Sequence, residues 1–384
     1  MSTSGGSTLS SFEGVKTRLK HSFFGENRTS IGIDVGNSSV KVVELERKND
    51  SLALKNYAIA LGKEELIKPG TLGVISGTAG VMVKRTLENS GIRPRRMNVA
   101  VPSFSSLITT IEIPEMSQNE IEQVIQKEAP KYIPVRLSEV VYGWQIIEDI
   151  ISPTALKDDG RRNQLSGGKV IRRRKNIHVL MVAIMKEISD QYNSVFSSSG
   201  LTIDSLEIDS FSLTRSLIGN DTGAFLILDI GHKVCNIIIV SNKNILLNRT
   251  IDVAGDRVTK VIAKALNISN ERAEKLKIEQ GLNIGGEGMN MVVQTIGILT
   301  REIQRTREAL AEKYPEVNIG KIILSGGGSK LKGLKEFIEN EVKIETVLGN
   351  PFKTIIYPEQ IKDTIAKHSP TLSIAVGLAV LGFE

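Results

Sequence analysis

Apolar positions along the chain gather into short β-branched runs, separated by stretches in which they recur every three or four residues. The runs at 31–35, 39–46, 97–101, 107–113, 177–184, 224–230, 235–240, 244–251 and 320–325 read as buried strands. Helices are predicted at 117–131, 186–199, 256–266, 270–280, 289–314 and 331–341. Alternation of the two favours an α/β fold over a bundle or a sandwich. The helix opening at Ser117 has Glu120 in capping-box position and an apolar face of Ile121, Val124, Ile125 and Ala129. Pro130 is expected to end or bend it, and Pro134 to stop its extension. Segment 155–176 has glycines among charges and no periodicity, and reads as an exposed loop between two strands. Residues 1–29 are rich in Ser, Gly and Thr. Within them Phe12, Val15, Leu19 and Phe23 share one helical face, and two readings stay open: a frayed tail, or contact with an anionic membrane surface.

Composition narrows the class. With 384 residues, 40% hydrophobic and 24% charged, the chain has room for two to three packed units, which excludes disorder. The strongly apolar stretch 374–383 is half of the roughly 20 residues a membrane helix needs, so no span is expected. The first thirty residues lack the apolar core of a signal peptide. Cys235 is the single cysteine, which permits no internal disulfide and suits a reducing cytoplasm. Four scattered histidines give no transition-metal spacing. The formal charge of +6 is concentrated in 157–175, where eight basic residues face Asp158 and Asp159. A nucleic-acid-binding body would spread such charge over a face, and this loop lacks interleaved aromatics. Contact with anionic lipid and simple solvation are the readings left for it.

A self-similarity 195 residues apart carries the chemistry. Ile33-Asp34-Val35-Gly36-Asn37-Ser38-Ser39-Val40-Lys41-Val42-Val43 aligns without a gap to Leu228-Asp229-Ile230-Gly231-His232-Lys233-Val234-Cys235-Asn236-Ile237-Ile238. Each copy is a strand, Asp-aliphatic-Gly, a few turn residues and a returning strand. Such a hairpin turn can point backbone N–H groups into one concavity suited to phosphate oxygens, with glycine allowing close approach. An Asp at the strand end can hold hydrated Mg2+, which reaches proteins through one or two carboxylates plus nucleotide phosphates. Asp-x-Gly alone is a common turn; two copies with matched strands, facing each other, would clamp a triphosphate. The run 321–324 then delivers Ser325-Gly326-Gly327-Gly328-Ser329, where three glycines let backbone approach a flat or anionic group. No Walker A pattern occurs.

Strand-Asp-x-Gly twice, followed by Gly-Gly-Gly, resembles the ATPase fold of actin, Hsp70 and the sugar kinases. The wording at 31–45, 128–134, 273–277 and 374–379 is similar to that of the PilM family of type IV pilus assembly proteins and, more distantly, to the FtsA family of division proteins. The resemblance covers about residues 30–384 apart from the basic loop. It implies an α/β, actin-like ATPase fold: two related domains around a nucleotide cleft, with an inserted FtsA/PilM-type subdomain. The first ATPase domain would be 30–103, completed by 201–223 and 368–384, the insert 104–200, and the second ATPase domain 224–367.

The same resemblance implies ATP and Mg2+ as cofactors. Asp34 and Asp229 would hold the metal; Gly36, Asn37, Ser38 and Ser39 would receive phosphate, with Lys41 pairing to it. Gly231, His232 and Lys233 would form the opposite clamp. Glu274 and Lys277 would approach the nucleoside, Gly326, Gly327 and Gly328 its base and phosphate side, and Glu207 or Asp209 would orient attacking water. In this family a groove between insert and first domain accepts a cytoplasmic peptide of a PilN-like membrane protein. That implies a cytoplasmic adaptor of type IV pilus or related type II secretion assembly, peripheral to the inner membrane, near an assembly ATPase and membrane platform, with self-association left open and no nucleic acid expected. Relatives commonly carry Thr or Ser in the second turn, where this chain has His232-Lys233-Val234-Cys235, and two glycines where 252–256 has one. Those departures bear on hydrolysis more than on binding, so turnover is expected to be slow at most. An FtsA-like polymer is the alternative; it predicts filaments and a C-terminal amphipathic membrane helix, which 377–384 does not supply.

Overall fold

The computed structural model describes residues 29–62, 64–68, 73–93, 97–147, 176–284 and 287–384. Its first sheet runs β14 (Ile355–Ile356), β3 (Ser51–Leu61), β2 (Ser39–Lys48), β1 (Thr29–Val35), β4 (Met97–Val101) and β8 (Ile203–Ile208). Its second runs β11 (Asn244–Ile251), β10 (Cys235–Ser241), β9 (Ala224–Ile230), β12 (Lys321–Ser325) and β13 (Thr346–Leu348). Each is an antiparallel meander, β1-β2-β3 or β9-β10-β11, whose first strand continues into two parallel neighbours. The repeat in sequence is therefore a repeat in topology. β9 and β10 are buried along almost their whole length, as runs without polar alternation require.

Helices cover these sheets. α1 (Gly77–Ser90) packs on β3 and on α3 (Lys186–Ser198) in the first half. In the second half α5 (Gly255–Leu266) packs on α6 (Asn270–Gln280) and α7 (Glu287–Lys313), and α8 (Leu334–Val342) lies on β13. Between the halves α4 (Asp209–Leu217) and α9 (Lys362–Leu381) pack on each other, and α9 also covers β1, β2 and β4. The stretch 359–381 is long and apolar enough to cross a bilayer, yet 67% of its most apolar window is buried inside the fold, as befits a core helix.

A third sheet, β5 (Ser106–Pro114), β7 (Asn176–Met185) and β6 (Val140–Ile147), is inserted in the first half and covered by α2 (Gln118–Tyr132). Ile121, Ile125 and Ala129 meet Ile111, Trp144, Val179 and Met181 in its core. The expected capping box is formed: the Ser117 backbone N–H donates to the Glu120 carboxylate at 2.9 Å, and the Ser117 side chain accepts from the Glu120 backbone N–H. Pro130 does not end the helix. Its missing N–H falls in the last turn, and the ladder resumes with Ile133 N–H on the Ala129 carbonyl at 2.9 Å.

Other boundaries also shift. The helix expected at 331–341 starts at Leu334, because Gly333 is left-handed at φ +83° and 327–330 form a 3-10 turn. α3, expected in the insert, sends Ile188, Tyr192 and Phe196 into the first-half core, so the inserted sheet closes at Met185. The chain returns to the first half ahead of 368: Ile355 and Ile356 pair with Leu52 and Ala53, and Phe352 joins the same cluster. The insert also touches the second half, where Lys313 Nζ donates to the Thr110 carbonyl at 2.8 Å and Tyr314 meets His178 edge-on. The N-terminal extension to Arg28 and the basic loop to Lys175 lie outside the described residues.

Candidate functional site

Both hairpins close with the same turn. Gly36 N–H donates to the Ser39 carbonyl at 2.8 Å, and Gly231 N–H to the Val234 carbonyl at 3.0 Å. In register, Asp34 faces Lys41 and Asp229 faces Asn236. Lys41 Nζ holds Asp34 Oδ2 at 2.9 Å in a nearly buried ion pair. Asn236 offers no charge; its amide donates toward Asp209 Oδ2 at 3.4 Å, and its carbonyl oxygen accepts from Thr250 at 2.7 Å. The two turns line one cavity of about 660 Å³, and Asp34, Asp209 and Asp229 all open onto it.

Three buried carboxylates with one paired cation leave uncompensated negative charge. Burial, with the neighbouring charge of Asp34, pushes Asp229 up to about 6. Burial, with Asp229 alongside, pushes Asp209 up to about 7, although Ser103 donates its hydroxyl to Asp209 Oδ1. The three aspartates offer hard oxygens, and among the described residues no cluster of three or more His, Cys, Asp or Glu could hold a metal alone. Such a site fits Mg2+ supported by one or two carboxylates and ligand oxygens, and does not fit a protein-caged transition metal.

The opposite wall is polar and closely tied. Lys277 Nζ donates to Glu274 Oε2 at 2.6 Å, to Thr259 Oγ1 at 2.9 Å and to the Gly255 carbonyl at 3.1 Å; Thr259 also donates to Glu274. Gly326, Gly327 and Gly328 complete this wall. Gly326 has φ +79°, and a Cβ there would stand 2.4 Å from the Ile230 carbonyl oxygen, so only glycine lets the loop lie against the second hairpin. Exposed Leu61 and Ile278 stand on the cavity lining from opposite halves.

Asp34, Gly36, Asn37, Ser38, Ser39, Lys41, Asp209, Asp229, Gly231, His232, Glu274, Lys277 and Gly326 to Gly328 are thus brought together. Glu207 and Lys233 are not. Glu207 is bound at both oxygens by Arg215 at 2.7 Å and accepts from Ser212, so it is occupied away from the cavity; of the two expected carboxylates, Asp209 is the one that lines it. Lys233 turns to Glu65 of the first half, at 2.6 Å. The second turn's carbonyls are engaged too: Gly255 N–H donates to Gly231 O at 3.2 Å and Asp256 N–H to His232 O at 2.8 Å, so the start of α5 is docked on the turn. Burial holds the His232 imidazole below its usual range, hence neutral near pH 7. Ser103 and Asn236, which orient Asp209, are additional. Asn236 was visible as the aligned counterpart of Lys41; Ser103 had no signal, because its contact spans 106 residues.

Comparison with known proteins agrees with this geometry. The family model for type IV pilus assembly protein PilM matches residues 32–159 and 166–383. Cell division protein FtsA of Pseudomonas aeruginosa is 24% identical over 392 residues, covering 92% of this chain and 89% of its own length. FtsA of Streptococcus pneumoniae is 22% identical, covering 83% and 75%. Among solved structures, a PilM-PilN type IV pilus biogenesis complex superposes with TM-score 0.76 at 21% identity, covering 94% of this chain and 100% of that one. MreB 5 of Spiroplasma citri bound to AMPPNP gives TM-score 0.51 at 13% identity, covering 93% and 96%. The fold is that of the actin-like ATPases, and the chain belongs to the family of type IV pilus assembly protein PilM.

Proposed function

We propose that this protein is a nucleotide-dependent adaptor of type IV pilus assembly, binding ATP with Mg2+ in the cleft and docking a cytoplasmic peptide of a PilN-like membrane protein at the inner membrane. The observation that carries it is the convergence of two duplicated hairpins and their aspartates on one cavity. The nucleotide-bound MreB 5 neighbour and the PilM-PilN complex support the ligand and the partner respectively.

In this reading Asp34 and Asp229 hold Mg2+, which when bound neutralises phosphate charge. The 36–39 turn and Lys41 receive the phosphates, while Glu274, Lys277 and the 326–328 loop enclose the nucleoside. Asp209, buried and oriented by Ser103 and Asn236, is the one carboxylate available to orient water. The second turn lacks a hydroxyl to donate to phosphate, which leaves positioning on that side weak and turnover slow. A shallow groove lined by Glu139, Met185, Glu187, Asp190, Gln191 and Ser194, where the insert meets α3, supports peptide docking at that junction.

The test is titration of a fluorescent ATP analogue with and without Mg2+, paired with capture of the cytoplasmic segment of the PilN-like protein in ATP, in ADP and without nucleotide. Mg2+-dependent binding that Asp34→Ala abolishes, with capture that changes with nucleotide, is expected. Capture indifferent to nucleotide removes the switch, and Mg2+-ATP-dependent pelleting of the chain as filaments favours the FtsA-like polymer.

A further inference from the structure

Four polar side chains form one row across the second sheet. Thr250 on β11 faces Asn236 on β10, Asn236 faces Asp229 on β9, and Asp229 faces Ser325 on β12. Residues directly opposite one another share a face of the sheet, and here Asn236, Asp229 and Ser325 line the cavity. Asn236 is buried, and its amide is engaged at both ends: Thr250 Oγ1 donates to its Oδ1 at 2.7 Å, and its Nδ2 donates to Asp209 Oδ2 at 3.4 Å. The first bond lies within one sheet, where register fixes it. The second reaches from the second sheet to the start of α4, and is longer than the usual N–H···O distance of about 2.9 Å. On Oδ1 the same carboxylate accepts the hydroxyl of Ser103, which follows β4 of the first sheet. Asp209 is thus held from both halves. β11 also packs on the 103–105 turn, so both of these donors rest against the strand that carries Thr250.

We propose that Thr250 is a positioning residue for Asp209: by fixing the amide plane of Asn236, it lets the second half set the direction in which Asp209 presents its carboxylate to the cavity. An ionised carboxylate only accepts, so Asp209 selects which end of the amide faces it, whereas a threonine hydroxyl serves either end. What Thr250 adds is constraint. The last torsion of an asparagine side chain is broad, and an amide left with only the 3.4 Å contact swings about it. The consequence for turnover rests on the nucleotide reading above, in which Asp209 orients water. A misdirected carboxylate then costs rate and leaves nucleotide affinity as it was.

The test labels the asparagines of the full chain with 15N and follows the side-chain amide of Asn236, assigned by its loss in Asn236→Ser. Asp209→Ala, or Asp209→Leu should that chain not fold, is expected to shift the two amide proton signals. Thr250→Val should shift or broaden them, while Thr250→Ser leaves them in place. Valine keeps the branched shape and strand preference of threonine; if that chain does not fold, Thr250→Ala replaces it. A threonine that mattered only through its methyl group gives the reverse order, with Val harmless and Ser disruptive. That order overturns the proposal, and so do amide signals indifferent to Asp209→Ala or to Thr250→Val. This arm uses the ligand-free chain. With Mg2+-ATP, Thr250→Val should slow single-turnover phosphate release by about tenfold while the fluorescent analogue binds as before, and Thr250→Ser should keep the natural rate. Equal release in Thr250→Val and the natural chain overturns the consequence for turnover. If the natural chain binds no nucleotide, the functional reading fails and the amide spectra still decide the role of Thr250.

Discussion

Lys41 and Asn236 occupy the same place in the two hairpins, each directly across from its aspartate. That one difference makes the halves electrically unequal, since Asp34 has its own cation and Asp229 does not. The excess charge has a pH consequence. Asp209 sits at about 7 in the folded chain against an ordinary 3.8, so folding favours its protonated form. The stability this gives is complete below about pH 4 and is lost as pH rises through 7. In magnesium-free buffer, Asp209→Asn should therefore match the natural chain near pH 4 and exceed it above pH 7. The ceiling for a shift from 3.8 to about 7 is about 4 kcal/mol, at 1.4 kcal/mol per unit, and urea melts at several pH values read it. At this scale the sequence was informative where chemistry repeats. Asp34, Asp229 and their turns were legible because the motif occurs twice. Glu207 and Asp209, two residues apart, could not be separated, because the ion pair that occupies Glu207 comes from Arg215, one helix later.

α9 shows how an element's sequence can hide its role. It is apolar nearly all round, contains Pro370, and presents no amphipathic stripe, because it is enclosed by β1, β2, β4 and α4. Close approach on two sides depends on glycine: a Cβ at Gly377 would stand 2.0 Å from the Ser212 carbonyl oxygen of α4, and one at Gly32 2.0 Å from the Ala375 carbonyl oxygen. Helix propensity alone favours Ala over Gly by about 1 kcal/mol. The backbone clash reverses that sign, and Gly377→Ala is expected to lower stability by about 1–3 kcal/mol, seen as a reduced thermal midpoint. The same physics explains the other elements that periodicity did not single out. β3 carries Lys55 and Asn56 in a half-exposed strand, and α1 keeps Gly80 because Val195 of α3 presses its carbonyl to 2.4 Å from where a Cβ would be. Strands buried on both faces, such as β9 and β10, were plain from their unbroken apolar runs.

At the scale of the whole molecule, one contact among the described residues that bears on opening of the cleft is Lys233 with Glu65, 2.6 Å apart, joining the second turn to the loop that follows β3. Lys233 had been expected on the phosphates, and the two roles make different predictions. With side chains 25% and 46% exposed, the pair is worth about 0–1 kcal/mol to stability, so neither Lys233→Met nor Glu65→Gln should shift the thermal midpoint appreciably. The same energy applied to cleft opening corresponds to at most about fivefold in rate. Stopped-flow release of a fluorescent ATP analogue should accelerate by up to that factor in either variant, and the difference should fade in high salt, since exposed pairs are screened. The double exchange Glu65→Lys with Lys233→Glu restores a pair of opposite charge across the same gap. As a latch it returns release to the natural rate; as a phosphate ligand it cannot, because the exchange puts a carboxylate where a cation would have met the nucleotide. Recovery in the exchanged chain therefore assigns Lys233 to the closing of the two halves, and continued fast release assigns it to the ligand.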